Sequence, residues 1–319
     1  MISRILTHRP TVIILLVLAI LGLGNTILQH KTASALNNDE TLITIDKELA
    51  HSVDALSKPI LTLPKSNQKS PLIYARSYVV IDGTSKYPLA SKNPDVNVPI
   101  ASTTKIMTAL VTLDTLPLDQ VVTITPEASA IPGSQMNFIK GEKHTVHNLL
   151  YALMMNSAND AAVALSQANG TTEEFVSRMN KKAQTLGLAN THYIDPAGLE
   201  EGSQSSPRDL ALMLDYALGN KTFRSIVGTQ THTITSVDNR YTYQLNNSNR
   251  LIHPDEPLYL PSTIGGKTGF TYEAGHCLIA AYERADGSRL IAAVLHTNSD
   301  DNDASAKEAR KLLTWANQL

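Results

Sequence analysis

The sequence has little that would tie the chain to nucleic acid or hold it together by covalent bridges. It contains 27 lysine and arginine residues against 29 aspartate and glutamate residues, and no basic cluster alternates with aromatic residues. Cys277 is the single cysteine, so no disulfide can form within the chain. These absences argue against a nucleic-acid partner and against a disulfide scaffold. The fold must rest on an apolar core, which 42% hydrophobic residues over 319 positions can supply.

The N-terminus differs from the rest of the chain. Two arginines precede the apolar run TVIILLVLAILGLG, residues 11–24, which is the arrangement of an export signal. Ala33-Ser34-Ala35 offers a cleavage site, which predicts a signal peptide over residues 1–35. Extended to Leu28, the apolar stretch also reaches the roughly 17 to 25 residues of one membrane span, so an uncleaved anchor stays open. In either case we expect an extracytoplasmic protein, periplasmic or at the cell surface, whose membrane contact, if any, runs through this segment.

The remaining sequence predicts a tether followed by one folded domain. Residues 36–70 are polar and punctuated by proline, whereas residues 71–319 alternate strand and helix patterns. Strand-rich stretches on both sides of Gly83-Thr84-Ser85 predict a hairpin, and helical periodicity dominates from Ser102 to about Leu214. Strand character then returns in HCLIAAYER and RLIAAVLHT before a closing helix. This order favours an α+β fold, with helices inserted into a largely antiparallel sheet whose edge is built from both chain ends.

Ser102 and Lys105 stand three positions apart at the start of an apolar helical run, in VPIASTTKIMTALVTL. Positions i and i+3 share one face of a helix, so the two side chains can touch. A lysine among Ile106, Met107 and Leu110 is removed from water, which lowers its pKa toward the neutral amine. A neutral amine beside a serine hydroxyl is a general base beside a nucleophile.

The S-x-x-K pattern is weak when it stands alone. Ser66-Asn67-Gln68-Lys69 also matches it, in the polar tether, and Ser102 has the alternative of capping its helix while Lys105 extends to solvent. Two further stretches favour a catalytic role for Ser102 and Lys105 over a structural one. MMNSANDAAVAL places Ser157 and Asn159 at the end of an apolar helical segment, and Lys267-Thr268-Gly269 heads a strand. Together the three are the ordered S-x-x-K, S-x-N and K-T-G set of penicillin-binding proteins and serine β-lactamases.

From about Ala75 to Leu319 the sequence closely resembles the D-alanyl-D-alanine carboxypeptidases, which are low-molecular-mass penicillin-binding proteins of peptidase family S11. The resemblance is carried by IASTTKIMTALVTL, LLYALMMNSANDAAVALS, MNKKAQTLGLANTHYIDPAGL, SPRDLALML and GGKTGFTYEAGHCL. It implies a β-lactamase/transpeptidase-like fold, an antiparallel sheet flanked by helices with an inserted helical subdomain. It also implies a serine D,D-peptidase domain over residues 71–319 that uses no metal and no other cofactor.

The resemblance also implies a role for each catalytic residue. Ser102 would attack the carbonyl between the two terminal D-alanines of a peptidoglycan stem peptide, with Lys105 as the proton acceptor. Ser157 would relay a proton to the departing amine, and Asn159 would hold the substrate amide and Lys105. The expected activity is therefore that of a serine-type carboxypeptidase, and β-lactam antibiotics are the expected covalent inhibitors.

Substrate binding is carried over in the same way. Lys267 would fix Ser157 electrostatically, and Thr268 would take the substrate carboxylate. Gly269 would let the substrate lie against the strand as an added edge. The backbone N–H groups of Phe270 and Ser102 would form the oxyanion hole.

Several points stay open at this stage. Some family members carry an arginine where Ser248 aligns here, with Arg250 two positions on, which leaves carboxylate binding by Arg250 open. AGHCL after K-T-G also resembles the branch that cuts D-alanyl cross-links, so endopeptidase activity is an alternative. A serine β-lactamase is a further alternative, although Glu200 and Glu201 lack the E-x-x-L-N context. A silent binding module is disfavoured, because every motif residue is intact.

Three other groups of residues are of types that bind metals or take part in catalysis, and we expect a structural role for each. His144 and His147, with Glu142 nearby, have a spacing that zinc sites use, but they fall where a loop enters an amphipathic helix. Cys277 lies in an apolar strand and should be a small packing residue. Asp209 in SPRDLALML should serve the start of a helix, where its charge complements the dipole.

Overall fold

The structure is a computed structural model that describes residues 69–297 and 301–319. The predicted signal peptide or anchor, and the predicted tether except for its last two residues, lie outside the described residues, so these boundaries stay predictions. No helix in the described ranges has the length and apolar character to span a bilayer.

The strands of the described residues are β1 (Ser77–Asp82), β2 (Pro88–Lys92), β3 (Val98–Pro99), β4 (Val121–Thr123), β5 (Lys143–Thr145), β6 (Gln204–Ser205), β7 (Thr231–Thr235), β8 (Thr242–Asn246), β9 (Thr263–Thr271), β10 (Gly275–Glu283) and β11 (Arg289–Thr297). Five of them form one antiparallel sheet in the order β2-β1-β11-β10-β9. The others pair as two-stranded ribbons, β3 with β6, β4 with β5 and β7 with β8. The predicted hairpin on either side of Gly83 is therefore present as β1 and β2.

The helices of the described residues are α1 (Lys105–Thr115), α2 (Pro126–Ala130), α3 (Val146–Met155), α4 (Asn159–Gln167), α5 (Thr172–Thr185), α6 (Pro207–Ala217), α7 (Lys221–Gly228) and α8 (Ala304–Ala316). Helices α1 to α7 lie between β2 and β9 in the chain, so the sheet is interrupted by a helical insertion. This confirms the predicted α+β class.

The two chain ends meet inside the sheet and not at its edge, which corrects the prediction. Ser77 of β1 lies opposite Leu295 of β11, and the pairing continues to Asp82 opposite Leu290. Each of these strands also has a hairpin partner on its other side, β2 beside β1 and β10 beside β11. The short hairpin connections therefore place β2 and β9 at the edges.

Both faces of the sheet are covered, which explains the nearly unbroken apolar runs of β10 and β11. Val79 and Ile81 point to the face that packs against the helical insertion. Val80 and Leu278 point to the opposite face, where they join Leu312 of α8. Successive strand residues thus alternate between two separate cores.

The predicted apolar helical segment through MMNSANDAAVAL is two helices. Helix α3 ends at Met155, and Asn159 is the first residue of α4, so it does not lie at the end of the earlier helix. Ser157 between them has φ of 59°, in the left-handed region that non-glycine residues seldom adopt. This turn between the two helices leaves Asn159 buried, with its side chain in contact with Lys105.

Candidate active site

Ser102 lies on a tight 3-10 turn, Ala101–Thr104, that leads directly into α1. Lys105 is the first residue of that helix and is fully buried, whereas Ser102 is partly exposed. The Lys105 Nζ lies 2.9 Å from the Ser102 Oγ. The tight turn, in place of the expected first α-helical turn, therefore still brings the two side chains into contact.

The amine of Lys105 has two further partners. It donates to the Asn159 Oδ1 at 2.8 Å and to the carbonyl oxygen of Ala197 at 2.5 Å. Burial lowers the pKa of Lys105 well below its usual range, and the neighbouring cation of Lys267 lowers it further. The surroundings therefore favour a neutral amine beside the Ser102 hydroxyl, which is the state a general base needs.

Asn159 is fixed between the lysine and a loop that borders the cleft. Its Nδ2 donates to the carbonyl of Pro132 at 2.7 Å, and its backbone N–H donates to the carbonyl of Ser134 at 2.7 Å. Because Nδ2 is held by the loop, Oδ1 faces Lys105. A Cβ at Gly133, where φ is 88°, would come within 2.8 Å of that Nδ2, so the loop approaches the amide as closely as a glycine allows.

The K-T-G residues begin at the middle of the nine-residue strand β9 and not at its head, because Thr263, Gly265 and Gly266 already pair with β10. Lys267 is buried, and burial lowers its pKa to about 7. Its Nζ donates to the carbonyl of Thr268 at 2.9 Å. Among the described residues this carbonyl is the hydrogen-bond acceptor of the Lys267 amine, and no hydrogen bond joins that amine to Ser157. The predicted link between Lys267 and Ser157 is therefore not a direct hydrogen bond in this structure.

Thr268 and Ser248 form a pair of hydroxyl groups on the cleft wall, with Oγ1 and Oγ 2.7 Å apart. Arg250 also lines the cleft but is held by two carboxylates. Its Nε lies 3.0 Å from the Asp303 Oδ1, and its Nη1 lies 3.3 Å from the Glu256 Oε2. The guanidinium of Arg250 is therefore already paired with acidic side chains.

At Gly269 the strand β9 passes close to the 3-10 turn that carries Ser102. A Cβ there would lie 3.1 to 3.2 Å from the carbonyl oxygen of Ile100 and the backbone nitrogens of Ser102 and Thr103. The next residue, Phe270, is half exposed, and its ring stacks on His276 with centroids 4.4 Å apart. Because β9 is an edge strand, its free backbone groups are open to an added strand.

These elements enclose a cleft of about 360 Å³. Its walls bring together residues from all three sequence motifs, namely Ser102, Ser157, Thr268, Gly269 and Phe270. Lys105 and Lys267 lie buried behind this surface. The predicted site residues thus converge on one place, although they are separated by up to 168 positions in the sequence.

The histidines and the glutamate whose spacing resembles that of a zinc site contact neighbouring side chains. The His144 Nε2 lies 2.9 Å from the Glu142 Oε2, and the hydroxyl of Tyr243 donates to the same carboxylate at 2.8 Å. The ring of His147 packs edge-on against Tyr151. No three His, Cys, Asp or Glu side chains within residues 69–297 and 301–319 are grouped so that they could hold a metal ion.

Cys277 and Asp209 have the surroundings expected of structural residues. Cys277 is buried beside Gly269, and burial raises the pKa of its thiol to about 12. Asp209 lies in the first turn of α6, and its Oδ2 accepts the backbone N–H of Asn190 and the hydroxyl of Thr191, both at 2.8 Å. It therefore ties the preceding loop to the helix start.

Two buried carboxylates whose charges act on Lys105 were not found from the sequence. Asp195 accepts backbone N–H groups in the loop that supplies the Ala197 carbonyl. Asp160 accepts the N–H groups of Met136 and Phe138 in the loop beside the cleft. A turn signal was available for the first, since Asp-Pro-Ala-Gly combines an Asx residue with proline and glycine. The sequence carried no comparable signal for Asp160.

The antiparallel sheet with its helical insertion, and the three motifs that meet at its edge strand, define a serine hydrolase of the penicillin-binding class. Residues 64–299 match the family model described as D-alanyl-D-alanine carboxypeptidase, peptidase S11. The chain belongs to this family.

The chain is similar to known members of this family in sequence and in structure. The D-alanyl-D-alanine carboxypeptidase DacF of Bacillus subtilis is 35% identical over 76% of this chain, which spans 62% of that protein's length. The D-alanyl-D-alanine endopeptidase of Pseudomonas aeruginosa is 36% identical over 75% of this chain and 76% of its own. The crystal structure of the DD-transpeptidase of Streptomyces K15 superposes with a TM-score of 0.73 at 34% identity, covering 79% of this chain and all of that one. The predicted transpeptidase-like fold is thereby confirmed.

Proposed function

We propose that the chain is a serine-type D-alanyl-D-alanine carboxypeptidase that removes the terminal D-alanine from peptidoglycan stem peptides through an acyl-enzyme on Ser102. The observation that carries the proposal is the buried amine of Lys105, 2.9 Å from the Ser102 Oγ, with its other hydrogen bonds directed to Asn159 and Ala197. Such an arrangement activates a hydroxyl that is otherwise a weak nucleophile.

In the acylation step the Ser102 Oγ bonds to the carbonyl carbon of the penultimate D-alanine while its proton passes to the Lys105 Nζ. The negative charge that develops on the carbonyl oxygen is stabilised by the backbone N–H groups of Ser102 and Phe270. The C–N bond then breaks, and the leaving amine of D-alanine takes a proton that travels from Lys105 through Ser157. The lysine is neutral again when the amine departs.

In the second step water hydrolyses the ester on Ser102. Lys105 accepts a proton from the water as it attacks, and the proton returns to the Ser102 Oγ when the C–O bond breaks. The products are the shortened stem peptide and the free enzyme. A β-lactam undergoes the same attack at its ring carbonyl, but its leaving nitrogen stays tethered to the acyl group, which accounts for covalent inhibition.

Substrate binding uses the edge of β9. The substrate backbone adds to the strand beside Gly269, and its terminal carboxylate meets the hydroxyl groups of Thr268 and Ser248. Burial lowers the pKa of Lys267 to about 7; in its protonated form, Lys267 attracts that carboxylate and orients Ser157 without a direct hydrogen bond. This is the electrostatic role that the sequence analysis assigns to Lys267.

A second candidate is cleavage of D-alanyl cross-links, which is favoured by the 36% identity with a protein named D-alanyl-D-alanine endopeptidase. The chemistry is the same, and only the group attached to the leaving amine differs. A β-lactamase is less well supported, since Glu200 and Glu201 are both exposed and neither lines the cleft.

The experiment is mass spectrometry of the products from a defined pentapeptide and from a cross-linked stem dimer. Release of D-alanine from the pentapeptide, absent in Ser102→Ala, is the expected result. Monomers formed from the dimer at a higher kcat/KM would favour the endopeptidase. No turnover of either substrate by folded protein would refute both candidates.

We further propose that the domain acts outside the cytoplasmic membrane, where cross-linked stem peptides occur, and that residues 1–35 direct it there. N-terminal sequencing distinguishes the two forms. A mature protein that begins at Leu36 has been released, whereas an intact N-terminus in the membrane fraction means anchoring. A cytoplasmic protein with an intact N-terminus would contradict the proposal.

A further inference from the structure

The loop after α5 is organised by one buried carboxylate, that of Asp195. Its Oδ1 accepts the backbone N–H groups of Ala197 at 2.7 Å, Gly198 at 2.6 Å and Leu199 at 3.2 Å. Its Oδ2 accepts the N–H of Glu200 at 3.1 Å. Four consecutive peptide groups, residues 197–200, are therefore held by a single side chain.

The same loop lies directly on the nucleophile's turn. A Cβ at Gly198, where φ is 68°, would lie 1.9 Å from the carbonyl oxygen of Ala101. The carbonyl of Pro196 accepts the hydroxyl of Thr108, in the next turn of α1, at 2.6 Å. The carbonyl of Ala197 accepts the Lys105 amine at 2.5 Å. The position of this last carbonyl is thus set by Asp195 on one side and by close packing on the other.

The Ala197 carbonyl matters because of how a neutral amine shares its hydrogen bonds. A neutral amine has two N–H groups and one lone pair, whereas an ammonium has three N–H groups. The Asn159 Oδ1 and the Ala197 oxygen can only accept, so they take the two N–H groups. The lone pair is then left for the third partner, the Ser102 hydroxyl. Without a fixed carbonyl at residue 197 the amine is free to rotate its lone pair away.

We propose that Asp195 is a positioning residue for this reaction, one that holds the turn of residues 197–200 so that the Lys105 lone pair is directed at Ser102. The inference rests on the proposed role of Lys105 as proton acceptor. Asp195 does not touch the substrate, and its effect is transmitted through the Ala197 carbonyl.

The charge of Asp195 has a separate effect that an experiment can detect. Three charged groups act on the Lys105 amine from the elements packed against it. Lys267 of β9 lowers its pKa, whereas Asp195 of the loop and Asp160 of α4 raise it. Because acylation needs the neutral amine, the rate rises with pH through the pKa of Lys105. Removal of the Asp195 charge therefore moves that rise to lower pH.

The test measures the second-order rate constant of acylation by a penicillin between pH 5 and 9, normalised to the folded fraction. Asp195→Asn keeps the shape of the side chain but removes its charge and replaces the acceptor for Glu200 with a donor. For this variant we expect the rise of the acylation rate constant with pH to move by roughly half a pH unit or more to lower pH. We also expect the rate constant at high pH, where it no longer changes, to fall about tenfold or more because the turn is loosened. Asp195→Glu keeps the charge and misplaces the acceptors, so it should lower the plateau and leave the rise in place.

Asp209→Asn is the matched control, because Asp209 is also buried and also accepts a backbone N–H, but is not among the charges acting on Lys105. It should change neither quantity. An Asp195→Asn profile that matches the wild type, or a loss shared equally by Asp209→Asn, would overturn the proposal. A wild type that no penicillin acylates at any pH would instead overturn the proposed function.

Discussion

Replacing Thr268 by valine removes one hydroxyl from the cleft and keeps the shape of the side chain. The Thr268 Oγ1 lies 2.7 Å from the Ser248 Oγ, and both residues line the cleft beside Ser102. If this pair binds the substrate carboxylate, the change removes a hydrogen bond to a charged group, worth about 1.5 to 3 kcal/mol. The corresponding loss in kcat/KM for a D-Ala-D-Ala peptide is roughly 10- to 200-fold.

Arg250 provides the comparison, because it is the competing candidate for the same carboxylate. Its guanidinium is about half exposed and already pairs with Asp303 at 3.0 Å and Glu256 at 3.3 Å. A solvent-exposed contact between this guanidinium and the substrate carboxylate would contribute about 0 to 1 kcal/mol. Arg250→Ala should therefore lower kcat/KM by no more than about fivefold.

The assay is D-alanine release from one pentapeptide by Thr268→Val, Arg250→Ala and, as a further control, Ser248→Ala. Ser248→Ala should fall between the other two, since it removes the second hydroxyl of the pair but leaves Thr268 in place. A larger loss in Arg250→Ala than in Thr268→Val would refute the reasoning, because the carboxylate would then be held by arginine.

Three further predictions concern the two lysines and the nucleophile. A labelled penicillin should be found on Ser102 by peptide mapping, and a label on Ser66 would contradict the assignment. Lys105→Arg should retain the fold by circular dichroism but lose acylation, because a guanidinium cannot act as the base; near-normal acylation would point to another base. Burial lowers the pKa of Lys267 from 10.5 to about 7. Between these two pH values Lys267 is protonated in the unfolded chain and neutral in the folded protein. The free energy of unfolding should therefore rise with pH there, by up to about 1.4 kcal/mol per unit, and urea denaturation at pH 7 and 9 should show a smaller rise in Lys267→Met; equal rises would refute this cause.

Local sequence patterns were sufficient to predict several features of the fold and of the candidate site. The spacing of Ser102 and Lys105 and the apolar residues after them predicted a buried lysine in contact with the serine, and the distance of 2.9 Å agrees. The hairpin around Gly83 and the α+β order were also visible, because side-chain periodicity and turn residues are local properties.

Features that depend on the backbone or on distant pairing were not visible. The break at Ser157 requires a left-handed serine, which no local propensity favours. The Ala197 carbonyl that accepts the Lys105 amine has no side-chain signature at all. The absence of a hydrogen bond between Lys267 and Ser157, and the pairing of both chain ends inside the sheet, depend on how separate elements pack.

The pairing of β1 with β11 bears on how the molecule acquires its reactivity. Ser77 lies opposite a residue more than 200 positions later in the chain, so this ladder contributes strongly to a high contact order, and such topologies fold slowly. Strand β9, which passes against the turn that carries Ser102, joins the N-terminal strands only through β10 and β11. The placement of β9 beside Ser102 thus depends on β11, the last strand in the sequence of the described residues. Time-resolved labelling during refolding would accordingly report the completion of the sheet rather than the earlier formation of the helices.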